Sequence, residues 1–151
     1  MQISNKCYYA LKALYELASR SDHEKPVKIA SIAGRQEIPK RFLEVILNEL
    51  RQGGFVDSRR GVDGGYFLSR PSGKITIGEV VRFVDGDIAP VPCVSTDEKQ
   101  KRCEKYLRCP FHPFWQRVQE ITESVYEGTT IADILEQWNQ QNARMNINYE
   151  I

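Results

Sequence analysis

The sequence predicts a mainly α-helical chain with one small β-hairpin and a long helix towards its C-terminal end. Three observations carry this. Three segments before residue 53 repeat apolar residues at helical spacing. Two short β-prone runs then flank a basic, glycine-containing tip. Further on, Phe114, Val118, Ile121 and Val125 repeat at four, three and four residues, a heptad seam that Trp115 and Thr122 widen.

Taken in order, Ser4 suits the N-cap of a first helix running to about Arg20, with Tyr9, Leu11, Leu14, Leu17 and Ala18 as its buried face. The polar stretch Ser21-Asp-His-Glu-Lys-Pro26 ends it; His23 lies there with no evident partner. A short second helix turns Ile29, Ile32 and Ala33 inward, and Gly34 and Gln36 mark the break after it. Pro39 fits the first turn of a third helix, where a missing N–H costs nothing. Phe42, Leu43, Ile46, Leu47 and Leu50 line one side of that helix; Lys40, Arg41, Glu44 and Asn48 lie on the others. Gly53-Gly54 stops it.

Phe55-Val-Asp-Ser58 and Gly65-Tyr-Phe-Leu68 read as strands, with Asp63-Gly64 as the positive-φ hairpin signal. Three helices followed by a hairpin with Arg59 and Arg60 at its tip describe a winged helix-turn-helix, whose third helix enters the major groove of DNA. Thr76 and Glu79 form a capping box opening a helix with Ile77, Val80, Val81 and Val84, and Gly86 ends it. Pro113 starts the heptad helix and Gly128 closes it. Thr130-Ile-Ala-Asp133 opens a short last helix with Ile134, Leu135 and Trp138. The Asn- and Gln-rich stretch after it is expected to be mobile. The domains expected are therefore a DNA-binding unit over 1–85, a cysteine-rich loop over 86–112, a dimerisation helix and short terminal helix over 113–138, and a tail over 139–151.

Charge is uneven. Residues 1–75 hold 13 Lys and Arg against 8 Asp and Glu; residues 76–151 hold 8 against 12. A basic first half points to a polyanionic partner, with Lys28, Lys40, Arg41, Arg59 and Arg60 as the constellation that meets it. An arginine fork suits phosphates and guanine edges. No apolar run is long enough to cross a bilayer and Met1-Gln-Ile-Ser-Asn-Lys6 has no signal-peptide character, so a cytoplasmic protein is expected. In that compartment cysteines stay reduced, which favours metal binding or redox sensing over disulfides.

The loop from Cys93 to His112 holds Cys93, Cys103 and Cys109, separated by nine and five residues, with His112 three residues past the last cysteine. Three thiolates and an imidazole can close a tetrahedral zinc site or hold a two-iron two-sulfur cluster, and the spacing matches no standard zinc finger or ferredoxin run. Cys7 reads as a buried small residue of the first helix. A Cys109–His112 nucleophilic pair is disfavoured, because no oxyanion-forming turn or small-molecule substrate pocket is suggested.

The chain resembles the Rrf2 family of bacterial regulators. The resemblance rests on Lys6-Cys-Tyr-Tyr-Ala10, Ile38-Pro-Lys-Arg-Phe-Leu-Glu44, the wing Arg60-Gly-Val-Asp-Gly-Gly-Tyr66, Ile77-Gly-Glu-Val80 and Thr130-Ile-Ala-Asp133, and covers nearly the whole chain to about residue 138. It implies a homodimer that binds double-stranded DNA, with Arg41, Glu44 and Arg60 at positions that touch it. It also implies a three-cysteine loop that holds an iron–sulfur cluster in many members, and here a 2Fe-2S cluster is favoured over 4Fe-4S. Cys93, Cys103 and Cys109 match those ligands by position, and His112 resembles the fourth ligand of the iron–sulfur cluster regulator branch. The chain departs from the family in a longer first gap between cysteines. Tyr8 stands where the nitric-oxide-sensitive branch has a ligating carboxylate. A cluster-free regulator that uses zinc or thiol oxidation, acting in part through a metabolic enzyme partner, is the alternative implied.

Overall fold

The computed structural model describes residues 3–20, 25–97 and 103–149; His23 lies outside them. Among the described residues the order is α1 (Asn5–Ser19), α2 (Ile29–Gln36), α3 (Lys40–Gln52), β1 (Val56–Arg59), β2 (Gly65–Leu68), α4 (Ile77–Asp85), α5 (His112–Gly128) and α6 (Ile131–Tyr149). This is the expected mainly helical chain with one hairpin.

Ser4 caps α1 by accepting from the Cys7 N–H at 3.1 Å. The buried face of α1 is centred on small residues, Cys7, Ala10 and Ala13, with Leu14, Leu17 and Ala18 beside them. Tyr9 and Leu11 are only half-buried at its margin. Small residues let neighbours approach closely, and α2, α3, α4, α6 and β2 all pack on this helix.

The break after α2 falls later than Gly34 and Gln36, both of which are helical. The left-handed residue is Glu37, at φ 54°, an uncommon conformation for a side chain with a Cβ. Its N–H and that of Ile38 both bond the Ala33 carbonyl, and Ile38 then dives into the core. Burial of Ile38 thus fixes the turn between α2 and α3.

Pro39 is the N-cap of α3 rather than part of its first turn, and its carbonyl accepts from Phe42 and Leu43 at 3.0 and 3.1 Å. Leu43, Ile46, Leu47 and Leu50 are buried, the i, i+3, i+4, i+7 stripe of a helix. Phe42 is a correction: one residue before that stripe, it is rotated by about 100° and faces outward. Paired bonds close α3, from Phe55 N–H to Leu50 O and from Gly54 N–H to Arg51 O, with Gly54 at φ 73°.

The wing is an antiparallel pair with Val56 opposite Leu68 and Arg59 opposite Gly65. Val27 adds a short third rung through reciprocal bonds with Tyr66. The positive φ of the turn sits at Gly61 (112°), not at Asp63 or Gly64. Gly64 is needed for a different reason: a Cβ there would stand 2.3 Å from the Arg59 carbonyl oxygen.

The Thr76–Glu79 capping box forms, with both bonds at 3.1 Å. Burial opposes the Glu79 charge, but the Thr76 N–H and the Arg70 guanidinium outweigh it and hold the carboxyl below its usual range. A second box forms between Thr130 and Asp133. The two helix starts are tied by Ile77 N–H to Thr129 O and Ile131 N–H to Ile75 O, so α4 and α6 enter the core side by side. The last helix is not short. It continues through Asn139 to Tyr149, where the sequence reading placed a mobile tail. That stretch lacks an apolar stripe but also lacks glycine and proline, and Gln140 bonds Glu136 one turn back.

Candidate nucleic-acid interface and cysteine centre

The core turns one side of α3 inward and leaves Lys40, Arg41 and Glu44 exposed, together with Phe42 and Val45. At the far end of the same helix, Arg51 joins Lys28 from the start of α2 and Arg59 and Arg60 from the wing in lining one groove of about 650 Å³. Arg51 was missed from sequence. It lies two turns after Glu44 on the same helix face, and its Nη1 donates to Ser58 Oγ on β1 at 3.2 Å. Among the described residues, no ion pair occupies Lys28, Lys40, Arg41, Glu44, Arg59 or Arg60. The arrangement therefore offers cationic forks along a wing and groove, and a mixed polar and apolar face on a helix. The first suits phosphates, and the second suits base edges and thymine methyls.

The cysteine loop leaves α4 at Gly86 and reaches α5 at His112. Cys93 sits half-buried in a single turn, Pro92–Val94. Cys109 follows a second such turn, Tyr106–Arg108, is half-buried, and accepts the His112 N–H on its carbonyl at 3.1 Å. Cys103 is exposed. Cys93 and His112 line one cavity of about 310 Å³ with Tyr106, Gln119 and Glu120. Cys103 and Cys109 are not among its lining residues, and among the described residues no three Cys, His, Asp or Glu side chains stand together as a metal-binding group. The structure thus brings two of the four expected ligands to one place. His112 rests edge-on to Tyr106, with ring centroids 5.2 Å apart, and its Nδ1 is buried without a hydrogen-bond partner. A buried imidazole nitrogen without a partner, in a side chain that shares a cavity with a cysteine, is a donor set that fits an iron–sulfur cluster or zinc.

Cys7 lies apart, fully buried in α1. Burial first, and the Asp85 carboxylate second, push its thiol up to about 12, which keeps it protonated and a poor nucleophile at neutral pH.

Helix α5 carries its apolar residues on the wrong side for a helix buried in one chain. Gln119 faces inward and is 5% exposed, while Phe114, Ile121 and Val125 are 57%, 55% and 61% exposed. Val118, the fourth residue of the seam, is half-buried.

The Rrf2 family profile, described as an iron-dependent transcriptional regulator, matches residues 3–137. The chain belongs to the Rrf2 family. It is 40% identical over 137 residues to an rrf2-like HTH-type transcriptional regulator of Rhodobacter capsulatus, covering 88% of this chain and 91% of that one. The structure of CymR (YrzC), the global cysteine regulator of B. subtilis, superposes with a TM-score of 0.73 at 31% identity, covering 91% of this chain and 98% of that one. IscR of T. potens superposes at 0.68 with 29% identity, over 91% and 88%. The protein is therefore an Rrf2-family transcriptional regulator with a winged helix. Two differently named regulators share its fold closely, so the fold alone does not choose between the chemistries of the cysteine loop.

The burial pattern sets an order of thiol reactivity. In the reduced, metal-free, folded protein, iodoacetamide at mildly alkaline pH should label Cys103 first and leave Cys7 unlabelled until the chain is unfolded. Peptide mass spectrometry reads the order, and equal labelling of Cys7 and Cys103 in the folded state would contradict it.

Proposed function

We propose that this Rrf2 regulator is a homodimer that binds double-stranded DNA through α3 and the wing, and that its cysteine loop holds an iron–sulfur cluster, 2Fe-2S in preference to 4Fe-4S. The observation that carries the DNA reading is the groove in which Lys28, Arg51, Arg59 and Arg60 converge from three elements. Those residues track the phosphates. Arg41 and Glu44, exposed on α3, read base edges: arginine donates to guanine, and a carboxylate accepts from the cytosine amine. The outward stripe Phe114, Val118, Ile121 and Val125 is the surface two copies share, since an apolar stripe of this kind marks an interaction site.

Cys93, Cys103, Cys109 and His112 would hold the cluster, whose iron supplies redox and nitric-oxide chemistry when bound. The bare His112 Nδ1 and its shared cavity with Cys93 support this reading, as does the family's description as iron-dependent. The loop joins α4, packed on the DNA-binding core, to α5, which carries the dimer stripe. A cluster held in that loop would then reset α5 against α4 and change the spacing of the two wings. The second reading is a cluster-free regulator whose exposed Cys103 switches by thiol chemistry or whose loop takes zinc. It is favoured by the absence of Cys103 and Cys109 from the residues that line the Cys93–His112 cavity, and by the exposure of Cys103.

Fluorescence anisotropy with a labelled duplex tests the DNA reading. Arg59→Ala and Lys28→Ala should each weaken binding across sequences and lower the salt slope by about 1. Arg41→Ala should cost on the order of 1–3 kcal/mol on the operator alone. Binding with no salt dependence, or unchanged by all three substitutions, would refute it. Anaerobic purification with iron, sulfide and zinc analysis decides the loop. Iron and sulfide with visible absorption, lost in Cys93→Ala, Cys103→Ala and Cys109→Ala, are expected. Stoichiometric zinc without iron would hand the case to the second reading.

A further inference from the structure

Helix α3 turns two large apolar residues to the outside. Phe42 is 63% exposed and Val45 is 55% exposed. They stand three residues apart, which places their Cβ atoms about 5–6 Å from each other on the helix surface. One exposed apolar residue on a helix is ordinary. Here two adjoin, among Lys40, Arg41, Glu44 and Asn48, all of them exposed. At about 100° per residue, Val45 lies about 40° around the axis from Arg41 and about 60° from Phe42. It lies nearly opposite the buried stripe of Leu43, Ile46, Leu47 and Leu50.

Neither residue serves the helix itself. Valine and phenylalanine are poorer helix formers than alanine, lysine or glutamate, and valine is held to one side-chain rotamer there. Their surroundings say what covers them. Lys40 and Arg41 flank them, and the cationic groove of Lys28, Arg51, Arg59 and Arg60 lies at the far end of the same helix. That setting suits a polyanion with an apolar group inside a groove. Duplex DNA has one such group in its major groove, the C5-methyl of thymine. Both residues stand in the first two turns of α3, the part of a recognition helix that reaches base edges. Arginine reads guanine and a carboxylate reads the cytosine amine, so Arg41 and Glu44 by themselves specify only G·C pairs.

We propose that Phe42 and Val45 form one apolar contact for the C5-methyl of a thymine, and so make the protein select a T·A pair within its operator. This rests on the DNA reading above and gives it a second kind of base recognition.

The test removes the methyl from the DNA and the contact from the protein in turn. Full-length protein, purified anaerobically, selects duplexes from a random-sequence pool. Each thymine of the enriched sequence is then replaced by deoxyuridine, which lacks only that methyl, and binding is read by fluorescence anisotropy. At least one replacement per half-site should weaken wild-type binding about fourfold. 5-Bromodeoxyuridine, whose bromine is close to a methyl in size, should restore it. Phe42→Ala and Val45→Ala should bind the thymine duplex more weakly and no longer distinguish it from the uracil duplex. Both changes put the best helix former at an exposed helix position, so circular dichroism should be unchanged. Arg59→Ala should weaken both duplexes alike and keep the distinction. If a sequence is enriched but every thymine tolerates uracil, or if both alanine variants keep the full distinction, the DNA reading stands and this proposal is overturned. If no sequence is enriched and no duplex is bound, the DNA reading itself fails and takes the proposal with it.

Discussion

Close packing on α1 is the constraint on which the rest of the structure depends. Its centre is Cys7, Ala10 and Ala13, residues small enough for four helices and a strand to approach its axis. The same helix carries Glu16, 3% exposed, whose carboxylate is met by Arg20, Arg35 and the amide of Gln36. A charge buried that deeply is tolerable only with its partners in place, so this cluster ties α1 to the end of α2. The left-handed turn at Glu37 follows at once, and α3 leaves it in one direction only. The exposed face of α3 is aimed by the burial of its opposite face and by a network two helices away.

Much of the fold was legible because local chemistry and tertiary packing agree. Ser4, the Thr76–Glu79 box, Thr130–Asp133 and Gly53-Gly54 mark helix ends by hydrogen bonds made within a few residues, and these formed as the sequence suggests. The misses share a different cause. Phe42 was placed inward because it is apolar, but phase along α3 decides, and it falls outside the stripe of Leu43, Ile46 and Leu47. The α2 break was assigned to Gly34 and Gln36, whereas burial of Ile38 imposes it on Glu37. The continuation of α6 past Asn139 has no apolar signal to announce it; only the lack of breakers does.

The candidate sites divide in the same way. Lys40, Arg41 and Glu44 could be put on the outside of a helix from periodicity, and the structure leaves them there. Arg51 needed the pairing of α3 with the wing, which no local pattern encodes. In the cysteine loop, residue type named candidate donors, but spacing could not say which ones meet; Cys93 and His112 share a cavity because Pro92–Val94 packs on α5. Gln119 was invisible because a glutamine in a helix carries no signal until its burial is known.

Helix α5 joins these threads. Its inner face carries His112 and Gln119 beside Cys93, and its outer face carries the apolar stripe. In the function proposed above a second copy covers the outer face, which would set the loop between the DNA-binding unit and the dimer seam. Sedimentation velocity on the wild type and on Ile121→Glu tests that claim most directly. The account predicts a wild-type dimer and an Ile121→Glu monomer with unchanged helical circular dichroism, since a charge in the seam would be buried without a partner. A wild-type monomer at micromolar concentration, or a dimer that survives the substitution, would contradict it.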